Sequence, residues 1–184
     1  TMLVVVPFVD GPDTEGHLGG LQPETLAALR RDGIEPLKAA ISPYDREGYW
    51  RLLSALWELK GGFTVVEQDV VPFPGAIAEL EACSERWCGY RYELQTGFHA
   101  ALGCAKFDAS LMAEFPRALE RVGELGFGPD GSRGGPDDDG LPRKDWRRLD
   151  TRIDRVLRQE CGVQMHVHDH VVGHLNPVQR VRSA

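Results

Sequence analysis

Long apolar runs, paired cysteine motifs, internal repeats and an excess of positive charge are all missing from this chain of 184 residues. Each absence narrows the choice of protein class. No stretch approaches the roughly 20 apolar residues that a membrane-spanning helix needs, so no span is expected. The four cysteines, Cys83, Cys88, Cys104 and Cys161, lack paired-knuckle spacing. They therefore indicate neither a disulfide framework nor a zinc ribbon, and they fit a reducing, cytoplasmic setting. The net charge of −7 weighs against wholesale polyanion binding, although it is compatible with a local basic face. The length suits one domain that buries its core without staples, expected over 2–178 with a tail at 179–184.

What is present alternates between two periodicities. Residues 2–9 form a continuous apolar run, as in a strand covered on both faces. A Gly- and Asp-rich loop follows, then a short helix opened by Pro23 and closed by Gly33. A return to the sheet is expected over 35–41. Tyr49, Leu52, Leu53, Leu56 and Trp57 make one apolar helical stripe that Gly61 and Gly62 stop. A β-branched run from Phe63 comes next, and Pro74 starts another helix. Two strand-like segments, 87–94 and 97–107, precede a helix capped by Asp108, which Pro116 kinks or restarts. The Gly/Pro/Asp-rich stretch 126–142 reads as a flexible insertion or a lid. The last helix, 144–159, is expected to bury Trp146, Leu149, Ile153, Val156 and Leu157. A final strand carries His166, His168 and His170. This order predicts a single-domain α/β fold with a mostly parallel central sheet flanked by helices.

The chemistry concentrates at two places. Glu67 and Asp69 stand at the end of an apolar strand, where open α/β sheets bind ligands. Side chains at i and i+2 of an extended segment point the same way, so both acids can converge on one cation. The plain alternative is a pair of solvated strand-end acids. Hard oxygen ligands suit Mg²⁺ or Mn²⁺, which commonly take substrate phosphates as further ligands. Near the carboxyl end, His166, His168, His170 and His174 crowd into nine residues. They offer a metal or phosphate contact, a polar strand edge, or a zinc site of their own without transferase activity. Three histidines at i, i+2, i+4 of a straight strand span about 13 Å, too far for one tetrahedral ion.

The strand 3–8, the helix with Tyr49, Trp50 and Trp57, the segment Val65-Val66-Glu67-Gln68-Asp69-Val70 and the late His-x-His together resemble nucleotide-sugar glycosyltransferases of the GT-A fold. The resemblance implies a Rossmann-related α/β domain. It also implies a divalent metal, Mn²⁺ or Mg²⁺, held by a D-x-D motif against the diphosphate of a sugar donor. Asp69 matches the metal-binding last position. Glu67 replaces the usual Asp, so it either reaches the ion through water or contacts the ribose. His168, then His166 and His170, are the expected late metal ligands. Pro7, Phe8 and Asp10 would contact base and ribose, and Tyr44 would stack on a base or simply pack in its turn. Asp108 and Glu93 are candidate bases by position, each with a plainer reading as helix cap or strand-edge acid. The arginines of 143–158 could track phosphates of a nucleic-acid acceptor carrying a hydroxymethylated base, or be a solvated helix face. Otherwise the acceptor would be a saccharide.

Overall fold

A computed structural model describes residues 2–11, 20–94, 97–124 and 144–175, with backbone only at 94 and 97–101. The candidate lid at 126–142, residues 12–19 of the early Gly- and Asp-rich loop, and the tail lie outside the described residues. One mixed sheet of seven strands organises the chain. In chain order the strands are β1 (Leu3–Val9), β2 (Leu37–Ile41), β3 (Phe63–Val66), β4 (Val70–Val71), β5 (Trp87–Leu94), β6 (Gly97–Phe107) and β7 (His166–His174). Their spatial order is β2-β1-β3-β6-β5-β7-β4.

β1 pairs in parallel with both β2 and β3, giving the α/β unit that the element order predicts. Beyond β3 the sheet reverses, because β5 and β6 form an antiparallel hairpin whose second strand docks against β3. β7 then joins β5 in parallel, and the short β4 closes antiparallel on β7. A hairpin needs only a short turn, whereas a parallel neighbour needs a crossover, so the aromatic pair 87–94 and 97–107 takes the local solution.

Helices cover both faces. Strand alternation divides the core accordingly: Val5, Val65, Ala105 and Phe107 face one layer, and Val4, Val6, Val66 and Cys104 the other. The first layer holds α2 (Gly48–Glu58), α4 (Ala109–Glu114), α5 (Ala118–Glu124) and α6 (Leu149–Gln159); the second holds α1 (Pro23–Arg31) and α3 (Ala76–Ala82). Pro116 separates α4 from α5, as its missing N–H and ring require. The last helix departs from expectation at its start. Residues Trp146–Arg148 form a 3₁₀ turn before α6, and Trp146 is 38% exposed and not part of the core. Among the described residues, no helix is long and apolar enough to cross a membrane.

Candidate functional site

The three parallel strands β2, β1 and β3 end on one side of the sheet, and their carboxyl ends open into a cleft of about 190 Å³. Pro7, Phe8 and Val9 supply one wall, Ile41, Ser42 and Pro43 a second, and Glu67, Gln68 and Asp69 the floor. Asp45, Arg46 and Tyr49, leading into α2, and Trp146 and Arg147, before α6, complete the rim. The position is the one that open α/β sheets use for ligands.

The floor is built differently from a straight strand. β3 stops at Val66, residues 68 and 69 make a turn, and β4 begins at Val70. Glu67 and Asp69 therefore do not project side by side from one extended segment. Each still lines the cleft, but with its own partner. The turn is pinned by four separate elements. Glu67 N–H donates to the Gly103 carbonyl (2.9 Å) and Leu175 N–H to the Asp69 carbonyl (2.7 Å). Val9 N–H donates to Gln68 Oε1 at 2.7 Å, and buried Thr25 donates through Oγ1 to the Gln68 carbonyl at 2.8 Å. Such a turn presents its side chains from a fixed backbone, which is what a preorganised site requires.

Glu67 points toward α2, where Tyr49 Oη donates to its Oε1 at 3.2 Å. Burial, reinforced by the nearby charges of Asp69 and Asp150, pushes the Glu67 carboxyl up to about 8, against the lowering effect of the Tyr49 bond. The carboxyl is therefore neutral at pH 7 while no cation shares the cleft. The Tyr49 hydroxyl is pushed well above its usual range, first by burial and then by Glu67.

Asp69 meets a histidine, but not the expected one. His174 Nε2 lies 3.4 Å from Asp69 Oδ2, because β4 pairs with β7 in a register that sets Val70 opposite His174. The His174 ring also stacks on Tyr92, with centroids 5.2 Å apart and planes 12° apart. Tyr92 in turn lies over Gly103, where a Cβ would sit 2.6 Å from its Cε1. The expected ligands His166, His168 and His170 are not brought to Asp69. His168 pairs with Tyr90 of β5, whereas Val172 pairs with Tyr92. At ordinary strand rise His168 is thus about four residues of sheet, roughly 13 Å, short of His174. His168 Nδ1 instead contacts Glu79 Oε1 at 2.9 Å, and His170 Nδ1 lies 3.5 Å from Glu79 Oε2. His166 is exposed, its ring edge-on to His168 with centroids 4.9 Å apart. These three histidines do not form a three-nitrogen metal group among the described residues.

The other expected residues separate as well. Pro7 and Phe8 line the cleft, while Asp10 and the 84%-exposed Tyr44 do not. Asp108 sits at the opposite pole of the sheet: its neighbour Phe107 pairs with Phe63 at the amino end of β3. There its carboxylate caps α4, accepting from Ser110 N–H at 2.9 Å and from Ser110 Oγ at 2.6 Å. Glu93 is exposed on β5 and lies outside the cleft lining. The expected basic stripe is broken. Arg147 turns to Asp145 through Nε and Nη2, both at 3.0 Å, Arg152 is buried, and Arg158 pairs with Asp154 at 3.3 Å.

The rim is completed by residues for which the sequence suggests another role or none: Arg46, Trp146 and Arg147. Asp145 has a fully buried side chain; burial acts to raise its carboxyl, but the Arg147 bonds and charge, with Arg46 at 3.9 Å, hold it below the ordinary value. This link ties the 3₁₀ turn to the entry of α2, where Trp146 N–H also donates to the Arg46 carbonyl at 3.1 Å. It brings two guanidinium groups and one indole to the same opening. In the sequence, Asp145 alone reads as a helix cap, so this link leaves no mark there.

No family model matches the chain, and no curated protein matches it. Among solved structures, A197 from STIV is similar at 12% identity and a TM-score of 0.49, covering 91% of this chain and 82% of that one. A hypothetical transferase from Thermus thermophilus is similar at 14% identity and a TM-score of 0.45, covering 91% of this chain and 92% of that one.

Proposed function

We propose that the cleft binds a nucleoside-diphosphate sugar with Mn²⁺ or Mg²⁺ and that the protein is a glycosyltransferase moving the sugar to an acceptor hydroxyl. The observation that carries this reading is that Asp69, on the floor of a cleft with cationic and aromatic rims, is met by His174 from the opposite half of the chain.

The pair fits a divalent ion. Two ligands at right angles on an ion with bonds of about 2.1 Å are about 3 Å apart, close to the observed 3.4 Å. One oxygen and one imidazole nitrogen also leave several positions for phosphate oxygens and water. When bound, the ion would stabilise the diphosphate leaving group as its charge develops. The chain's own residues do the remaining work. Arg46 and Arg147 place positive charge beside the phosphates, and Phe8 and Trp146 offer apolar faces to a base. Glu67, which accepts a hydrogen bond from Tyr49, lines the same floor beside Asp69. The broken arginine stripe favours a saccharide or other small hydroxyl compound as acceptor over a nucleic acid.

The test is mass spectrometry of a nucleotide-sugar panel incubated with the protein and Mn²⁺, since transferases slowly hydrolyse their donors. One donor should release its nucleoside diphosphate, and Asp69→Ala should lose that release. A panel left intact with every divalent ion would remove the transferase reading.

A further inference from the structure

A second cluster of ligating side chains lies outside the cleft lining, beside the core layer that holds α3. Cys83 ends α3, Cys88 lies on β5, and His168 lies on β7. One ligand atom from each falls within 4.8 Å of the other two. We propose that Cys83, Cys88 and His168 form a soft-ligand metal site suited to Zn²⁺.

Three features support the assignment. First, two thiolates and an imidazole around a tetrahedral ion stand roughly 3.5–3.8 Å apart, so small side-chain rotations close the group on zinc. Second, the histidine is already oriented as a ligand. Its Nδ1 is taken by Glu79 at 2.9 Å, which leaves Nε2 for an ion, and Nε2 is buried without a hydrogen-bond partner. A carboxylate on the far nitrogen is the usual outer contact of a metal-bound histidine, fixing its tautomer and raising its basicity. Third, the charges balance. Two thiolates and Glu79 offset a divalent ion and the buried ammonium of Lys106, which donates to the Cys83 carbonyl.

The frame is rigid on two sides and open on the third. Cys88 is buried between β6 and β7, and Cys83 N–H bonds the Glu79 and Leu80 carbonyls at the end of α3. Cys83 is only half-buried, which leaves a path for the ion and a fourth position for water. Ligand hardness separates the two sites: thiolates select zinc, and the Asp69 oxygen selects Mg²⁺ or Mn²⁺.

Chelator-treated, fully reduced protein titrated with Co²⁺ tests the proposal. One equivalent should produce thiolate-to-cobalt absorption in the near ultraviolet, bleached by one equivalent of Zn²⁺ and retained in Asp69→Ala. Glu79→Gln should weaken the metal about 10- to 100-fold, and Cys83→Ser, checked for an unaltered melting profile, by at least that much. Zinc should also shield Cys83 and Cys88 of the wild-type protein from alkylation, a readout that needs no variant. Three outcomes would overturn the site: no thiolate absorption, metal affinity that survives Cys83→Ser, or a Cys83–Cys88 disulfide forming in protein that takes up no metal when reduced.

Discussion

His174 Nε2 stands 3.4 Å from Asp69 Oδ2 although 105 residues of chain separate the two. The contact follows from a two-residue strand: Val70 and Val71 pair with His174 and Gly173, and that pairing carries the end of β7 to the turn after β3. The candidate site is thus a product of sheet closure, and its parts can be tested separately.

His174→Ala should weaken Mn²⁺-dependent nucleotide binding at least about tenfold, because it removes a nitrogen ligand and the stacked support of Tyr92. His166→Ala, an exposed position on the same strand, should leave binding unchanged. Calorimetric titration of both variants checks this. Equal affinity for the two would remove His174 from the site.

Gly103→Ala should destabilise the fold by about 1–3 kcal/mol, since the added methyl group would collide with the Tyr92 ring. Because Tyr92 stacks on His174, the same variant should also loosen metal binding. A melting curve and a metal titration on one sample read both effects. Lower stability with metal affinity intact would show that Tyr92 does not position His174.

The pH dependence has a definite sign. In cation-free protein the Glu67 carboxyl is raised from 4.5 to about 8, so the native state holds its proton more tightly than the unfolded chain does. Its contribution to stability is greatest below pH 4.5 and is lost as pH rises through the native value near 8. The slope approaches 1.4 kcal/mol per pH unit at most. Glu67→Gln cannot titrate, so its stability should gain on the wild type progressively toward pH 8 in chemical denaturation. Parallel curves would mean that Glu67 is already ionised in the native cleft.

Trp146→Ala should lower nucleotide affinity by roughly 1–3 kcal/mol, the usual value of one base–aromatic stack, and Trp146→Phe should restore most of it. Trp146 is 38% exposed and lies outside the core, so folding should change little. An affinity indifferent to both changes would mean that Trp146 only borders the opening.

The layers were legible in the sequence because burial leaves periodic marks. Residues 2–9, the Tyr49–Trp57 stripe and the Asp108 cap all appear as read. Glu67 and Asp69 also line a cleft at the carboxyl ends of the parallel strands. What could not be read was pairing between distant segments. The β5–β6 hairpin reverses the sheet, which puts Asp108 at the wrong pole for the cleft. A local shift in β7 register decides which histidine reaches Asp69. Neither leaves a mark in composition or spacing. The cysteines show the same limit: Cys83 and Cys88 lack a knuckle spacing, yet folding brings a histidine from 80 residues beyond Cys88 to complete the group. Trp146 was assigned to the core because its helical phase fits, but the 3₁₀ turn rotates it to the opening.

The most direct measurement is calorimetric titration of a uridine or guanosine diphosphate into the protein, with and without Mn²⁺, in wild type and Asp69→Asn. The account predicts one site per chain in the wild type, dependent on Mn²⁺, and a loss of at least about tenfold in the variant. Nucleotide binding that ignores both Mn²⁺ and Asp69, or its absence under all four conditions, would contradict the metal-dependent cleft.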